Sequence, residues 1–167
     1  MLRSGSLITL LLLACAAILI DGCDKQRVFE ENLEFKNRSW IVTDEPVFEF
    51  AVLDSAETYS LYYNVRNSLD YPYARIFVTG TIYDSTGREM VRKMVYNDLF
   101  DEKSGKPFGE SGLGDLYDHQ FPLWTQFNFP NRGKYSVKLT QFMRQDTLQG
   151  ILAVGVRVAR RSTTDEK

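Results

Sequence analysis

Few side chains in this sequence are suited to chemistry. His119 is the single imidazole, with Asp118 beside it and Ser111 upstream, so the residue types of a Ser/His/Asp relay lie close together. Nothing around Ser111 has the pattern of a strained nucleophile turn, and such a relay is defined by geometry rather than by order in the chain. A histidine on the surface or at a rim is the simpler expectation. Residues 97–120 also hold six carboxylates, Asp98, Asp101, Glu102, Glu110, Asp115 and Asp118, among four glycines and Pro107. Calcium takes six to eight oxygens from regularly spaced donors, and the Asp-x-Asp-x-Asp-Gly spacing is missing. The glycines permit turns with positive φ, so a solvated loop is expected, with partner docking through Asp115 as the alternative. Paired carboxylates could serve glycoside hydrolysis, although acidic residues on a β domain are usually just solvated. One histidine excludes multi-histidine metal sites. Two cysteines exclude a disulfide scaffold and a cysteine-rich zinc site. The expectation is no catalytic residue, no metal and no cofactor.

The chemistry that stands out is at Cys23. Leu7–Ile20 is an apolar run of 14 residues behind Arg3. A bilayer-spanning helix needs about 20 such residues, so the run suits a cleaved secretory signal. Ile20-Asp21-Gly22-Cys23 follows. It resembles a bacterial lipobox, with an aliphatic residue at −3, a small one at −1 and Cys at +1; Asp21 at −2 departs from the usual small or neutral residue. The thiol would receive a diacylglycerol, and cleavage would leave Cys23 as the first residue, its amine usually acylated with a fatty acid such as palmitate. Two or three chains hold where one does not. A plain cleaved signal is the alternative. Leu12-Leu13-Ala14-Cys15 is a weaker match that would leave Ala16–Ile20 as a greasy stub. Asn37-Arg38-Ser39 matches a glycosylation sequon and carries no weight in a bacterial lipoprotein.

Composition separates the same two parts. All 11 Phe, 9 Tyr and 2 Trp fall after residue 22. Formal charge is −2 for the whole chain and is unchanged when residues 1–22 are removed. Nucleic-acid binding, which needs a basic excess or patch, is not expected. The length fits one domain.

The elements that must position these groups read as strands. In 47–53, Phe48, Phe50 and Val52 share a face. In 58–67, Tyr59, Leu61, Tyr63 and Val65 alternate with polar neighbours, the period-two pattern of a half-buried strand. Residues 75–83 are apolar or β-branched on both faces, as in a central strand. Asp84-Ser85-Thr86-Gly87 turns them into a return strand over 88–96, making a hairpin. Further strands are expected over 121–129, with Pro122 near a start or an edge, over 135–142 with Tyr135, Val137 and Leu139 inward, and over 151–158. Residues 146–149 should be a turn. The organisation expected is a signal at 1–22, the acylated Cys with a tether and a segment packing on the domain at 23–44, a domain at 45–160 and a frayed tail at 161–167. Seven strands, no helix and no internal repeat point to an antiparallel β-sandwich, immunoglobulin-like or jelly-roll-like.

Two clusters could meet a partner. Asn64 and Arg66 lie on one strand, and Tyr71 and Tyr73 on the turn after it; Tyr and Arg are typical hot-spot residues. The architectural alternative is that polar groups satisfy the turn, Pro72 fixes it and Arg66 pairs with a carboxylate. Tyr62, Tyr71, Tyr73 or Trp124 could form a carbohydrate platform, though aromatic residues in a sandwich are more often core.

The sequence also resembles a family. Cys23-Asp24-Lys25-Gln26-Arg27-Val28-Phe29-Glu30-Glu31, Leu61 to Asn67, Tyr71-Pro72-Tyr73, the stretch Gly109 to Asp115, Gly133-Lys134-Tyr135, Gln141 to Arg144, Leu148 to Ile151 and Val154 to Val158 together are similar to the gliding-motility lipoprotein GldH of gliding and related Bacteroidota. The resemblance implies a lipid-anchored envelope protein, on the outer membrane, with no known enzymatic activity. Its partners would be envelope proteins of the motility machinery that also drives type IX secretion. It does not establish that the source cell glides. A glycan-binding lipoprotein module is the runner-up, and a carboxylate hydrolase the third reading.

Overall fold

A computed structural model describes residues 24–112 and 114–161. The expected signal 1–22, Cys23, Leu113 and the tail 162–167 lie outside them. Eleven strands follow one another: β1 (Arg27–Glu34), β2 (Ser39–Ile41), β3 (Val47–Val52), β4 (Tyr59–Ser68), β5 (Arg75–Asp84), β6 (Glu89–Asp98), β7 (Glu110–Ser111), β8 (Leu116–Phe127), β9 (Gly133–Gln141), β10 (Thr147–Gln149) and β11 (Ile151–Arg160). A five-stranded sheet runs β1-β11-β4-β8-β7 and a four-stranded sheet runs β3-β9-β5-β6, with β2 and β10 as a small ribbon. Every pairing is antiparallel. The protein is the all-β sandwich that the alternation predicts.

The alternating residues account for the core. Phe48, Phe50 and Val52 of β3 are buried, as are Tyr59, Leu61, Tyr63 and Val65 of β4, and Tyr135, Val137 and Leu139 of β9. Phe129 joins the sheets at one end, 4.7 Å from Phe127, 4.5 Å from Tyr135, 5.4 Å from Tyr59 and 5.7 Å from Phe50 between ring centroids. Such edge-on and tilted contacts suit the ring quadrupoles. The β5–β6 hairpin forms around Asp84, whose carboxylate accepts from the Thr86 and Arg88 amides.

Three expected segments are built differently in detail. Within 23–44, expected as the acylated Cys, a tether and a segment packing on the domain, the described residues 24–44 hold two strands. β1 pairs with β11 along its length, and Trp40 of β2 is fully buried, with its indole N–H donating to the Asp44 carbonyl at 2.7 Å. The pattern hid β1 because little of it enters the core; Phe29 packs at a tilt on Phe50 at 5.9 Å, while Leu33 is left exposed. The loop expected over 97–120 ends early, because β8 begins at Leu116. Residues 147–149, expected as a turn, are strand β10, and Gly150 (φ 80°) makes the turn against the Tyr71 backbone.

The aromatic strand also departs from simple alternation. The β4–β8 register shifts between Leu61 and Tyr62, so Leu61 faces Trp124 while Tyr62 faces Pro122. Leu123 and the Trp124 ring both lie under Gly80 of the opposite sheet, close enough that a Cβ there would sit 3.0 Å and 3.3 Å from them. Pro122 has no ladder neighbour on its other side, since β7 reaches only as far as Asp118, which is where a residue lacking an N–H belongs.

Candidate functional site

The outer face of the five-stranded sheet collects polar side chains. Registers β1–β11, β11–β4 and β4–β8 align Asn32, Gly155, Asn64 and Gln120 in one row and Glu34, Ala153, Arg66 and Asp118 in the next. Asn64 Nδ2 donates to Glu30 Oε1 at 3.1 Å and to Asn32 Oδ1 at 3.0 Å, and Gln120 Nε2 donates to Asn64 Oδ1 at 3.0 Å. An amide ladder therefore crosses the sheet from β1 to β8. It passes over β11 because residue 155 is glycine: a Cβ there would overlap the Asn32 side chain and the Glu31 carbonyl.

Beside the ladder, Arg66 grips Asp118 through two bonds, Nε to Oδ1 at 2.8 Å and Nη2 to Oδ2 at 3.2 Å, with Glu34 at 3.7 Å. The Asp118 carboxylate raises the guanidinium above its ordinary pKa. These groups line a cavity of about 700 Å³, walled on one side by Phe108, Gly109 and Glu110. The fork geometry fixes orientation, while the half-exposed pair contributes only about 0–1 kcal/mol to stability.

His119 and Phe121 also line that cavity, from the face of β8 opposite to Asp118 and Gln120, their rings stacked at 5.3 Å. The imidazole is 7% exposed, and burial pushes its pKa down to about 4, so it is neutral near pH 7. Its Nε2 has no partner among the described residues. The relay is not assembled. Ser111 Oγ donates to the Gly112 carbonyl at 3.5 Å, and the Asp118 carboxylate is engaged by Arg66. The acidic loop is likewise occupied with itself. Asp101 Oδ1 accepts from the Ser104 amide and hydroxyl, both at 2.7 Å, while Leu99 and Phe100 pin the loop to the core. Among the described residues no cluster of three His, Cys, Asp or Glu side chains could hold a metal ion.

Of the expected contact residues, Asn64 and Arg66 share this site. Tyr71 and Tyr73 are elsewhere, packed against each other at 5.5 Å, and Tyr71 is a core residue at 3% exposure whose hydroxyl donates to the Arg75 carbonyl. It has no surface for a partner to touch. Asp115 is exposed on the loop before β8, apart from the cavity lining. Sequence reasoning missed Glu30, Asn32, Glu34, Gln120 and Gly155. Polar residues at every second position of 30–34, and a glycine inside an otherwise apolar strand, were the available signals.

The resemblance seen in the sequence has independent support. The model of the family described as GldH lipoprotein matches residues 27–158. The chain belongs to that family. A gliding motility lipoprotein GldH homolog of Christiangramia forsetii is 33% identical over 153 residues, covering 84% of this chain and 88% of the relative. Gliding motility lipoprotein GldH of Flavobacterium johnsoniae is 30% identical over 154 residues, covering 88% and 93%. The family match takes in the whole polar face from β1 to β11. Among solved structures, the infectious bursal disease virus VP2 subviral particle gives a TM-score of 0.42 at 11% identity, covering 85% of this chain and 34% of that chain. Dimeric latent PorU from Porphyromonas gingivalis gives 0.33 at 8%, covering 81% and 13%. The chain thus spans about a third or less of either.

Proposed function

We propose that this protein is a lipid-anchored, non-catalytic accessory or scaffold subunit of an envelope complex for gliding motility, associated with type IX secretion, and that it sits on the outer membrane through Cys23. The observation that carries the binding role is the amide ladder with its Arg66–Asp118 fork. It is a preorganised set of donors and acceptors on rigid strands, so little ordering entropy is lost when a partner docks. Asn64 and Arg66 are the contacts, with Asp115 on the neighbouring loop. The lipid confines the domain to a surface and raises its effective concentration for partners there.

The test is membrane fractionation with crosslinking mass spectrometry in the source cell. The expected result is recovery with the outer membrane and crosslinks from the polar face to envelope proteins, reduced by Arg66→Ala. Recovery of the wild type without any crosslinked envelope protein sinks the reading. The second reading, a glycan-binding module, draws on the amides and the exposed Phe108 around one cavity. A glycan array on the same protein separates the two.

A further inference from the structure

A lipid-bearing cysteine commonly sits at the end of a flexible leash, but the residue after Cys23 leaves no room for one. The Asp24 carboxylate accepts from Arg157 on β11, the strand next to β1, and from the Gln26 amide at 3.1 Å. Its carbonyl accepts from the Arg27 amide at 3.2 Å, and the Gln26 carbonyl accepts from the Arg160 amide at 2.8 Å. Arg157 is held in turn by Glu30 at 3.1 Å, and β1 starts at Arg27. Successive Cα atoms are about 3.8 Å apart, so an acyl chain on Cys23 begins within one residue of the sandwich. We infer that the domain lies directly on the bilayer, with the strand end that holds Asp24 facing anionic phospholipid headgroups. This rests on the lipid anchor proposed above.

Charge along the sandwich agrees. The anchored end comprises 24–27, 53–58, 84–89, 128–134 and 160–161, joined there by the Arg160–Gln26 and Arg161–Thr58 backbone bonds and by the short β3–β4 and β8–β9 connections. It holds seven basic and five acidic residues in a chain whose total is −2. Lys25, Arg27, Arg132, Lys134 and Arg160 are exposed there, and Leu53 projects from the β3–β4 loop at 70% exposure. The far end is the reverse. Its long β6–β8 connection carries Asp101, Glu102, Glu110 and Asp115 against Lys103 and Lys106. Strands of ten residues put that end about 30 Å from the headgroups. A cationic, apolar-tipped end beside the anchor and an acidic end away from it match an anionic surface.

The test uses the full acylated protein in vesicles of phosphatidylcholine and phosphatidylglycerol that contain brominated lipid. With Cys15 removed and Cys23 acylated, a single new thiol can carry a fluorophore, in Ala56→Cys at the anchored end or Lys103→Cys at the far end. The expected result is quenching several-fold stronger at 56 than at 103, and loss of that difference when a Gly/Ser linker is inserted between Cys23 and Asp24. The double variant Lys25→Glu/Arg160→Glu should weaken quenching at 56 on anionic vesicles and leave it unchanged on pure phosphatidylcholine. Equal quenching at both positions in a vesicle-bound protein overturns the inference while the lipid reading stands. Intact mass without the diacylglycerol overturns both.

Discussion

The two outer faces of this sandwich organise their exposed groups differently. On the five-stranded sheet, Asn32, Asn64 and Gln120 bond to one another across three strands, and Arg66 and Arg157 each hold a carboxylate. On the four-stranded sheet, the tilted rings of Phe77 and Tyr96 meet at 5.6 Å, Phe142 lies next to Phe77 through their backbone bond, and Met94 is one row away. Phe142, Tyr96 and Met94 are 63%, 60% and 52% exposed, so the apolar material there is not hidden. The polar face has satisfied its own groups and loses little by remaining in water. The apolar face has polar contacts too, Arg75 bonded to Asp98 at 2.6 Å and lying 4.8 Å over the Tyr96 ring, and Lys138 bonded to Glu45 at 2.9 Å, but these are separate pairs and not a ladder across the strands. One face is a continuous polar network, and the other mixes separate ion pairs with exposed apolar side chains.

If that difference is real, the polar face should be intolerant of small changes in backbone space. Gly155→Ala places a methyl group where the Asn32 amide crosses β11, and the backbone carbonyl of Glu31 blocks any simple escape. Overpacking of this kind costs about 3 kcal/mol, and β1 should loosen with it. Gly80→Ala, in the centre of the opposite sheet, meets only the side-chain ends of Leu123 and Trp124, which can give way, so about 1 kcal/mol is expected. Urea unfolding of the two variants measures both. Equal costs would show that the ladder does not depend on Gly155.

His119 tests the buried side of β8 beside the polar cavity. Its folded pKa, about 4, lies below the unfolded value near 6.5. Between those values the unfolded chain binds the proton and the folded chain does not, so stability falls as pH drops through that window and is fully present above it. The loss by pH 4 should be on the order of 3 kcal/mol. His119→Gln should remove that share of the pH dependence, read as the difference between unfolding curves at pH 7 and pH 4.5. An unchanged slope would mean that the imidazole is hydrated when folded.

The sequence revealed more of the apolar architecture than of the polar site, for a physical reason. Phe48, Phe50, Val52, Tyr59, Leu61, Tyr63 and Val65 announce themselves because burial selects apolar residues with period two. Glu30, Asn32 and Glu34 alternate just as regularly, but polar alternation has no hydrophobic partner to mark it and looks like solvent-exposed chain. Asn64 and Arg66 were visible as polar positions on a strong strand. Their neighbours were not, because pairing β1 with β11 joins residues 127 positions apart, as Arg157 and Glu30 are. Tyr71 misled in the opposite direction. Hot-spot chemistry and core chemistry use the same ring, and only burial tells them apart.

Binding separates the faces more sharply than stability does. Arg66→Ala removes a fork that is half exposed, so its cost in folding should stay under about 1 kcal/mol. Its cost in partner capture should be about tenfold, the effect of losing one well-placed arginine contact. Asp118→Asn should give a smaller loss, since it keeps the shape and one acceptor. Quantitative crosslinking in envelope fractions, with melting temperature as the folding control, checks both. Full capture by a folded Arg66→Ala protein would move the docking site off the polar face.

The smallest expected effect is the one that decides the comparison. Met94→Ser with Phe142→Ser strips the apolar face of two exposed side chains that contribute little to the core, so stability should change by no more than about 0.5 kcal/mol. If partners dock through the amide ladder, capture should be unchanged and the only difference should be better solubility at high concentration, because an exposed apolar patch promotes self-association. Loss of capture here, with Arg66→Ala neutral, would reverse the assignment. The ordered face would then be a structural device that holds β1 and Asp24 to the sheet, and the disordered chemistry of the other face would be the part that meets the complex.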